Sequence, residues 1–170
     1  MDGAHTGLYV VMGVAGSGKT TIGSALARRL GVDFVDGDEY HPTENVERMS
    51  RGIPLTDDDR AAWLRALAMR LRQAKDAGAG LVMACSALKR SYRDVLRGGA
   101  HDLQLVFLRG PRPLVAERLT TRSGHFMPPS LLDSQLATLQ EPEPDEHAWV
   151  CDVRKSPDDL VAGLVARASS

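Results

Sequence analysis

The sequence predicts an α/β fold, a parallel sheet of five strands with helices on both faces, in a single domain over residues 1–170. Three observations carry this. Short apolar runs at Leu8–Met12, Val32–Val35, Leu81–Ala84, Leu103–Leu108 and Trp149–Val153 are each followed by a turn and then by a helical pattern. Strands alternating with helices are the signature of parallel pairing. The first run passes directly into Gly13-Val14-Ala15-Gly16-Ser17-Gly18-Lys19-Thr20, which has the spacing G-x-x-x-x-G-K-[ST]. Finally, there is no internal repeat and no linker long enough to divide the chain, and 170 residues can bury a full α/β core.

The glycine-rich stretch lies between a strand and a helix carrying Ile22, Leu26 and Leu30 at four-residue intervals. That context turns the spacing into a phosphate-binding loop and predicts a P-loop NTPase fold. Its glycines allow consecutive N–H groups to converge on an anion at the positive end of the helix. Lys19 reaches the β- and γ-phosphates of a nucleoside triphosphate, and the Thr20 hydroxyl holds Mg2+.

After the polar lead-in Met1–Gly7 and this unit, Gly31 stops the first helix, and the second strand ends in Asp36-Gly37-Asp38. Pro42–Ser50 reads as a helix with Pro42 in its first turn, broken by Gly52-Ile53-Pro54-Leu55. Thr56 is an N-cap and Asp59 its capping-box partner for the longest helix, whose apolar face is Leu64, Leu67, Leu71 and Ala74. Gly78 and Gly80 end it. A helix over Lys89–Leu96 follows the third strand, and one over Pro111–Arg122 follows the fourth. Next come the loop Ser123–Pro129, a helix Ser130–Leu139 and an acidic, proline-punctuated turn over Glu141–Glu146. Ser156 caps a final helix bearing Leu160, Leu164 and Val165.

In parallel sheets ligands sit beyond the carboxyl ends of the strands, which selects the residues to weigh. The third strand ends in Ala84-Cys85-Ser86, without the metal-associated Asp of many P-loop ATPases; the acids follow the second strand instead. Asp38 is assigned to orient a phosphoryl acceptor hydroxyl and take its proton, and Asp36 to the metal's water shell. Both also suit an ordinary turn. Arg60 stands in the first turn of its helix, against the dipole, where Asp57, Asp58 and Asp59 would neutralise it or an anionic acceptor would occupy it. With Arg48 and Arg90 it argues for a carboxylate or phosphate on the acceptor. Arg118 and Arg122 share a helix face ahead of the glycine- and proline-rich loop that carries His125; this segment reads as a lid over the nucleotide.

Composition limits the alternatives. The 21 basic and 22 acidic residues nearly cancel, which argues against nucleic acid or an anionic membrane as partner. Cys85 and Cys151 end apolar runs and read as buried thiols in a reducing compartment. With no bilayer-length apolar run and no signal segment, a cytoplasmic protein is expected.

Together the blocks GVAGSGKTTIG (Gly13–Gly23), DGDEYHPTENVERM (Asp36–Met49), GIPLTDDDRAAWL (Gly52–Leu64), CSALKRSYRDVLR (Cys85–Arg97), FLRG (Phe107–Gly110) and RSGHFMPPSLLDSQLATLQEP (Arg122–Pro142) resemble the small P-loop gluconokinases, relatives of shikimate kinase. The resemblance implies ATP-dependent phosphorylation of D-gluconate to 6-phospho-D-gluconate for the pentose phosphate pathway. It also implies a mobile lid over about residues 111–142 and a homodimer. It places the nucleotide and Mg2+ on Gly13, Ala15, Gly16, Ser17, Gly18, Lys19, Thr20 and Thr21, with Arg118 stacking on adenine and Arg122 acting from the lid. It gives the acceptor Asp38, His41, Arg48, Arg60, Arg90 and Gln135; His125, from its place in the loop, reads as a further lid contact to the substrate. Two alternatives stay open: a kinase of this fold with another acceptor, such as shikimate or a nucleoside monophosphate, and a nucleotide-binding switch. The absence of an N-K-x-D motif counts against a GTPase.

Overall fold

A computed structural model describes residues 4–121 and 130–170. Strands β1 (Leu8–Met12), β2 (Asp33–Asp36), β3 (Leu81–Ala84), β4 (Gln104–Arg109) and β5 (Trp149–Asp152) form one sheet in the order β2-β3-β1-β4-β5. All four pairings are parallel. The crossovers are made by α1 (Lys19–Leu30), α2 (Thr43–Ser50), α3 (Asp57–Asp76), α4 (Arg90–Gly99), α5 (Arg112–Thr121) and α6 (Ser130–Thr138), and α7 (Pro157–Ala168) closes the chain.

The strands are apolar on both faces because both faces are covered. Along β1 the alternation of side chains divides the interior into two cores. Tyr9 and Val11 join Ile22 and Leu26 of α1, Val115 and Leu119 of α5, and Leu160 and Leu164 of α7. Leu8, Val10 and Met12 join Trp63, Leu67 and Leu71 of α3 and Tyr92 and Leu96 of α4. Cys85 and Cys151 are buried free thiols, and burial pushes Cys85 up to about 12.

Chain order fixes where the site lies. From β1 the chain runs to β2 at the sheet edge, returns to β3 between them, and then crosses to β4 on the other side of β1. That reversal leaves a crevice at the carboxyl end of β1, where the glycine-rich loop emerges.

The boundaries differ from the sequence reading in instructive places. β2 starts and ends one residue later than expected, so Asp36 is its last residue, paired in register with Ala84 of β3. A 3-10 turn over Gly37–Tyr40 follows; Asp36 caps it by accepting the Asp38 N–H at 3.0 Å. Pro42 caps α2 and does not join it. A second 3-10 turn, Pro144–Glu146, sits inside the acidic segment, held by reciprocal capping between Glu143 and Glu146.

Candidate active site

The phosphate loop is shaped by left-handed glycines. Gly18 caps α1 at φ 99°, ψ 21°, a conformation side chains resist. No side chain caps α1 and no acid lies in its first turn. Its leading N–H groups and the helix dipole therefore make an anion seat. Gly16, at φ 83°, lies under α5 so closely that a Cβ would come 2.5 Å from the Val115 carbonyl. Lys19 Nζ donates to the Val14 carbonyl at 3.1 Å, the Ala15 N–H to Gln135 Oε1 of α6 at 2.7 Å, and the Gly13 N–H to the Ser86 carbonyl at 3.4 Å.

One cavity opens against this loop. Ala15, Gly16, Gly18, Lys19 and Thr20 line one wall, and Asp36, Asp38 and His41 the facing one. Arg60 and Trp63 of α3 and Gln135 of α6 complete it. β3 lies between β1 and β2, so the walls stand two strand spacings apart, about 10 Å. The intervening strand ends in small residues, Ala84 and Ser86, which leave that space open. The missing acid after β3 thus keeps the floor clear.

The β2 tip is held rigidly. Trp63 Nε1 donates to the Gly37 carbonyl at 2.8 Å, and a Cβ on Gly37 would meet the Ala84 carbonyl at 2.6 Å. His41 stacks on Trp63 with ring centroids 4.0 Å apart and planes at 16°. Burial, and then the nearby Arg60 charge, push its imidazole down to about 4. Asp38 keeps 39 % of its side chain exposed, with the His41 Nε2 4.0 Å away.

Of the two readings of Arg60, neutralisation by the acids of its first turn or contact with an anionic acceptor, the first gains no hydrogen bond from Asp57 or Asp59, whose carboxylates bond elsewhere. Asp59 closes the capping box with Thr56 and accepts from Arg48 at 3.0 Å. Asp57 accepts from the Tyr92 hydroxyl and from Lys89 at 3.1 Å; the tyrosine first and the lysine second hold its carboxyl below the usual range. Arg60 Nη1 instead donates to the Leu55 carbonyl at 2.6 Å and to the Tyr92 hydroxyl at 3.1 Å, with its guanidinium 5.3 Å from the Tyr92 ring centre. The Leu55 carbonyl and Tyr92 therefore hold this cation in place, a role sequence reasoning gave to neither of them.

Arg48 and Arg90 do not reach the cavity. Arg48 is spent on Asp59, and Arg90 forks onto Asp145 at 2.8 Å and reaches Glu143 at 3.2 Å. The Arg90 contacts belong to a clamp that tethers the chain after α6 to α4. At its centre Arg93 and Glu146 are fully buried, 2.7 Å apart, with Arg97 adding a contact of 2.8 Å. Burial alone would raise the Glu146 carboxyl; hydrogen bonds from Arg93, from the Glu143 backbone and from Arg97 outweigh it and hold it at about 2. Arg93 also binds the Ala87 carbonyl at 2.9 Å, fixing the turn after β3 in which Ala87 is left-handed at φ 46°.

A second cavity, about 250 Å³, backs onto the same loop. It is lined by Gly16, Ser17, Gly18, Thr21 and Ile22, by Arg118, and by Val153, Lys155, Pro157 and Leu160. Arg118 donates to the Val153 carbonyl at 2.8 Å. The loop thus separates a largely apolar slot from a polar, charged cavity. Thr20 and Asp36 offer hydroxyl and carboxylate oxygens, hard donors that suit Mg2+. Among the described residues no group of three or more His, Cys, Asp or Glu could hold a metal. Arg122 and His125 lie outside the described residues.

Comparison with known proteins shows the family to which this fold and phosphate loop belong. A family model described as an AAA domain matches residues 8–142. The chain is 51 % identical to a gluconokinase of Gluconobacter oxydans over 156 residues, covering 92 % of this chain and 88 % of that one. The crystal structure of a gluconokinase from Sinorhizobium meliloti 1021 superposes with a TM-score of 0.87 at 46 % identity, covering 98 % and 94 % of the two chains. That of a sugar kinase from Janibacter sp. HTCC2649, without ligand, gives 0.90 at 49 %, covering 95 % and 93 %. With relatives this similar over nearly its whole length, and with a phosphate loop at the end of β1, the chain belongs to the gluconokinase family of P-loop kinases.

Proposed function

We propose that the protein transfers the γ-phosphoryl group of ATP to the terminal hydroxyl of D-gluconate, giving 6-phospho-D-gluconate and ADP. The observation that carries this is the shared cavity, lined by Lys19 and Thr20 of the phosphate loop together with Asp38, Arg60, Ala84 and Ser86. Relatives named gluconokinase supply the acceptor.

ATP lies along the loop, its phosphates on the α1 end and its base in the slot beside Arg118. Lys19 leaves the Val14 carbonyl to neutralise the β- and γ-oxygens. Asp38 aligns the acceptor hydroxyl and takes its proton as the new O–P bond forms and the bond to the bridging oxygen of ADP breaks. Arg60 binds the carboxylate of gluconate, and His41 and Gln135 contact its hydroxyls. Thr20 would hold Mg2+ and Asp36 would order its waters, and the ion would supply neutralisation of charge on the phosphates. Residues 111–142 form the lid, from which Arg122 and His125 complete the closed site. The family resemblance further supports a homodimer, a cytoplasmic location and a place ahead of the pentose phosphate pathway. Among the described residues no helix is long and apolar enough to cross a membrane.

A coupled assay of ADP release with gluconate, with shikimate and with no acceptor tests the reading. Turnover is expected only with gluconate, with the product identified by mass as the phosphate ester. Equal rates without acceptor would overturn it in favour of a nucleotide switch.

A further inference from the structure

Between the β2 tip and α3 lies a hydrogen-bonded chain that the proposed reaction leaves unexplained. Asn45, on the first turn of α2 and 4 % exposed, donates through Nδ2 to the Asp59 carbonyl at 2.9 Å. A carbonyl only accepts, so this contact settles which end of the amide is nitrogen. The same Nδ2 lies 3.3 Å from His41 Nδ1. One amide hydrogen is on Asp59 and the other points at the ring, so Nδ1 is the accepting nitrogen. In a neutral imidazole the proton then sits on Nε2, the nitrogen turned toward Asp38 Oδ1 at 4.0 Å. Stacking on Trp63 fixes the plane of the ring.

We infer that Asn45 is a positioning residue for acceptor recognition, holding His41 as the Nε2–H tautomer so that a neutral ring donates a hydrogen bond into the cavity beside Asp38. The inference rests on the acceptor reading proposed above and deepens it. Asp38 accepts and Nε2–H donates, so one wall offers both halves of what a polyol needs, since every hydroxyl both donates and accepts. With the opposite tautomer both groups would only accept, and a carboxylate or hydroxyl oxygen of a sugar acid would find no donor there. The charged groups around the ring are Asp38 on its own turn and Arg60 on α3, with Asp36 and Lys19 lining the same cavity. Burial and Arg60 keep the ring neutral at physiological pH.

The first measurement is the nitrogen NMR spectrum of the histidine-labelled wild-type protein with no substrate present. His41 is expected to show a bare Nδ1, a protonated Nε2 and no titration between about pH 5 and 8. A proton on Nδ1, or titration near the ordinary histidine value, would overturn the inference whether or not any variant folds. The second is N45D, whose carboxylate can only accept and so draws a proton onto Nδ1. At high pH its KM for gluconate is expected to rise about tenfold, the loss of one good hydrogen bond, with KM for ATP within about twofold. As the pH falls the penalty should ease, because a doubly protonated ring regains its Nε2–H. Equal losses for both substrates, or a gluconate KM penalty that ignores pH, would make Asn45 merely structural. Failure of the wild type to phosphorylate gluconate would remove the substrate reading alone; the tautomer is read without an acceptor.

Discussion

Helices α1 and α3 contribute to the same cavity and begin in opposite ways. α3 opens with a complete capping box and three acids in its first turn, so its own side chains satisfy its positive end. α1 opens on Gly18 with no side-chain cap and no acid. A helix start left without a side-chain cap beside a lysine is built for an anion that arrives from outside, whereas a self-capped start is built to hold still. α3 then does something its capping does not require: it carries Arg60 in the first turn, where a cation is unfavourable by up to about 1 kcal/mol. The Leu55 carbonyl and the Tyr92 hydroxyl are arranged to keep it there. One helix recruits charge and the other displays it.

The sharpest way to break this contrast is at α1. Lys19→Ala is expected to lower kcat about a thousandfold while leaving the circular dichroism spectrum native, since packing uses the loop backbone. Unfolding would assign Lys19 a structural task. Across the cavity, Asp38→Asn should reduce kcat about a hundredfold with KM for ATP within about twofold; equal damage to ATP binding would move the acceptor role elsewhere. Arg60→Ala should raise KM for gluconate about tenfold in steady-state kinetics, the loss of a charge-assisted contact. Thr56→Ala removes the α3 cap and should cost about 1 kcal/mol in denaturant unfolding. Arg90→Ala comes last: its pairs with Glu143 and Asp145 are exposed, so the smallest change in denaturant unfolding, with gluconate KM unchanged, is expected. A raised KM would return Arg90 to the acceptor site.

What was legible follows from how local each signal is. The phosphate loop could be read directly because its residues are contiguous and its chemistry is mostly backbone. The strand-and-helix alternation gave the parallel sheet, and the rule about strand ends led to Asp36 and Asp38. The division between those acids was less visible: Asp36 also caps the turn that holds Asp38, a contact set by the 3-10 geometry. Arg48, Arg60 and Arg90 looked alike in sequence because their partners do not lie beside them. The contact that claims Arg90 spans 55 residues, and the buried Arg93–Glu146 pair spans 53. Asn45 was not singled out in the sequence, although its place four residues after His41 was a usable signal.

The phosphate loop is a partition, with Gly16 and Gly18 bordering the slot behind it and the cavity in front. With ATP in the slot and gluconate in the cavity, as proposed, donor and recipient would come in from opposite sides and be aboard together before anything moves. Such a layout calls for a single displacement with inversion at phosphorus and a sequential rate law, not a phosphorylated enzyme that pauses between partners.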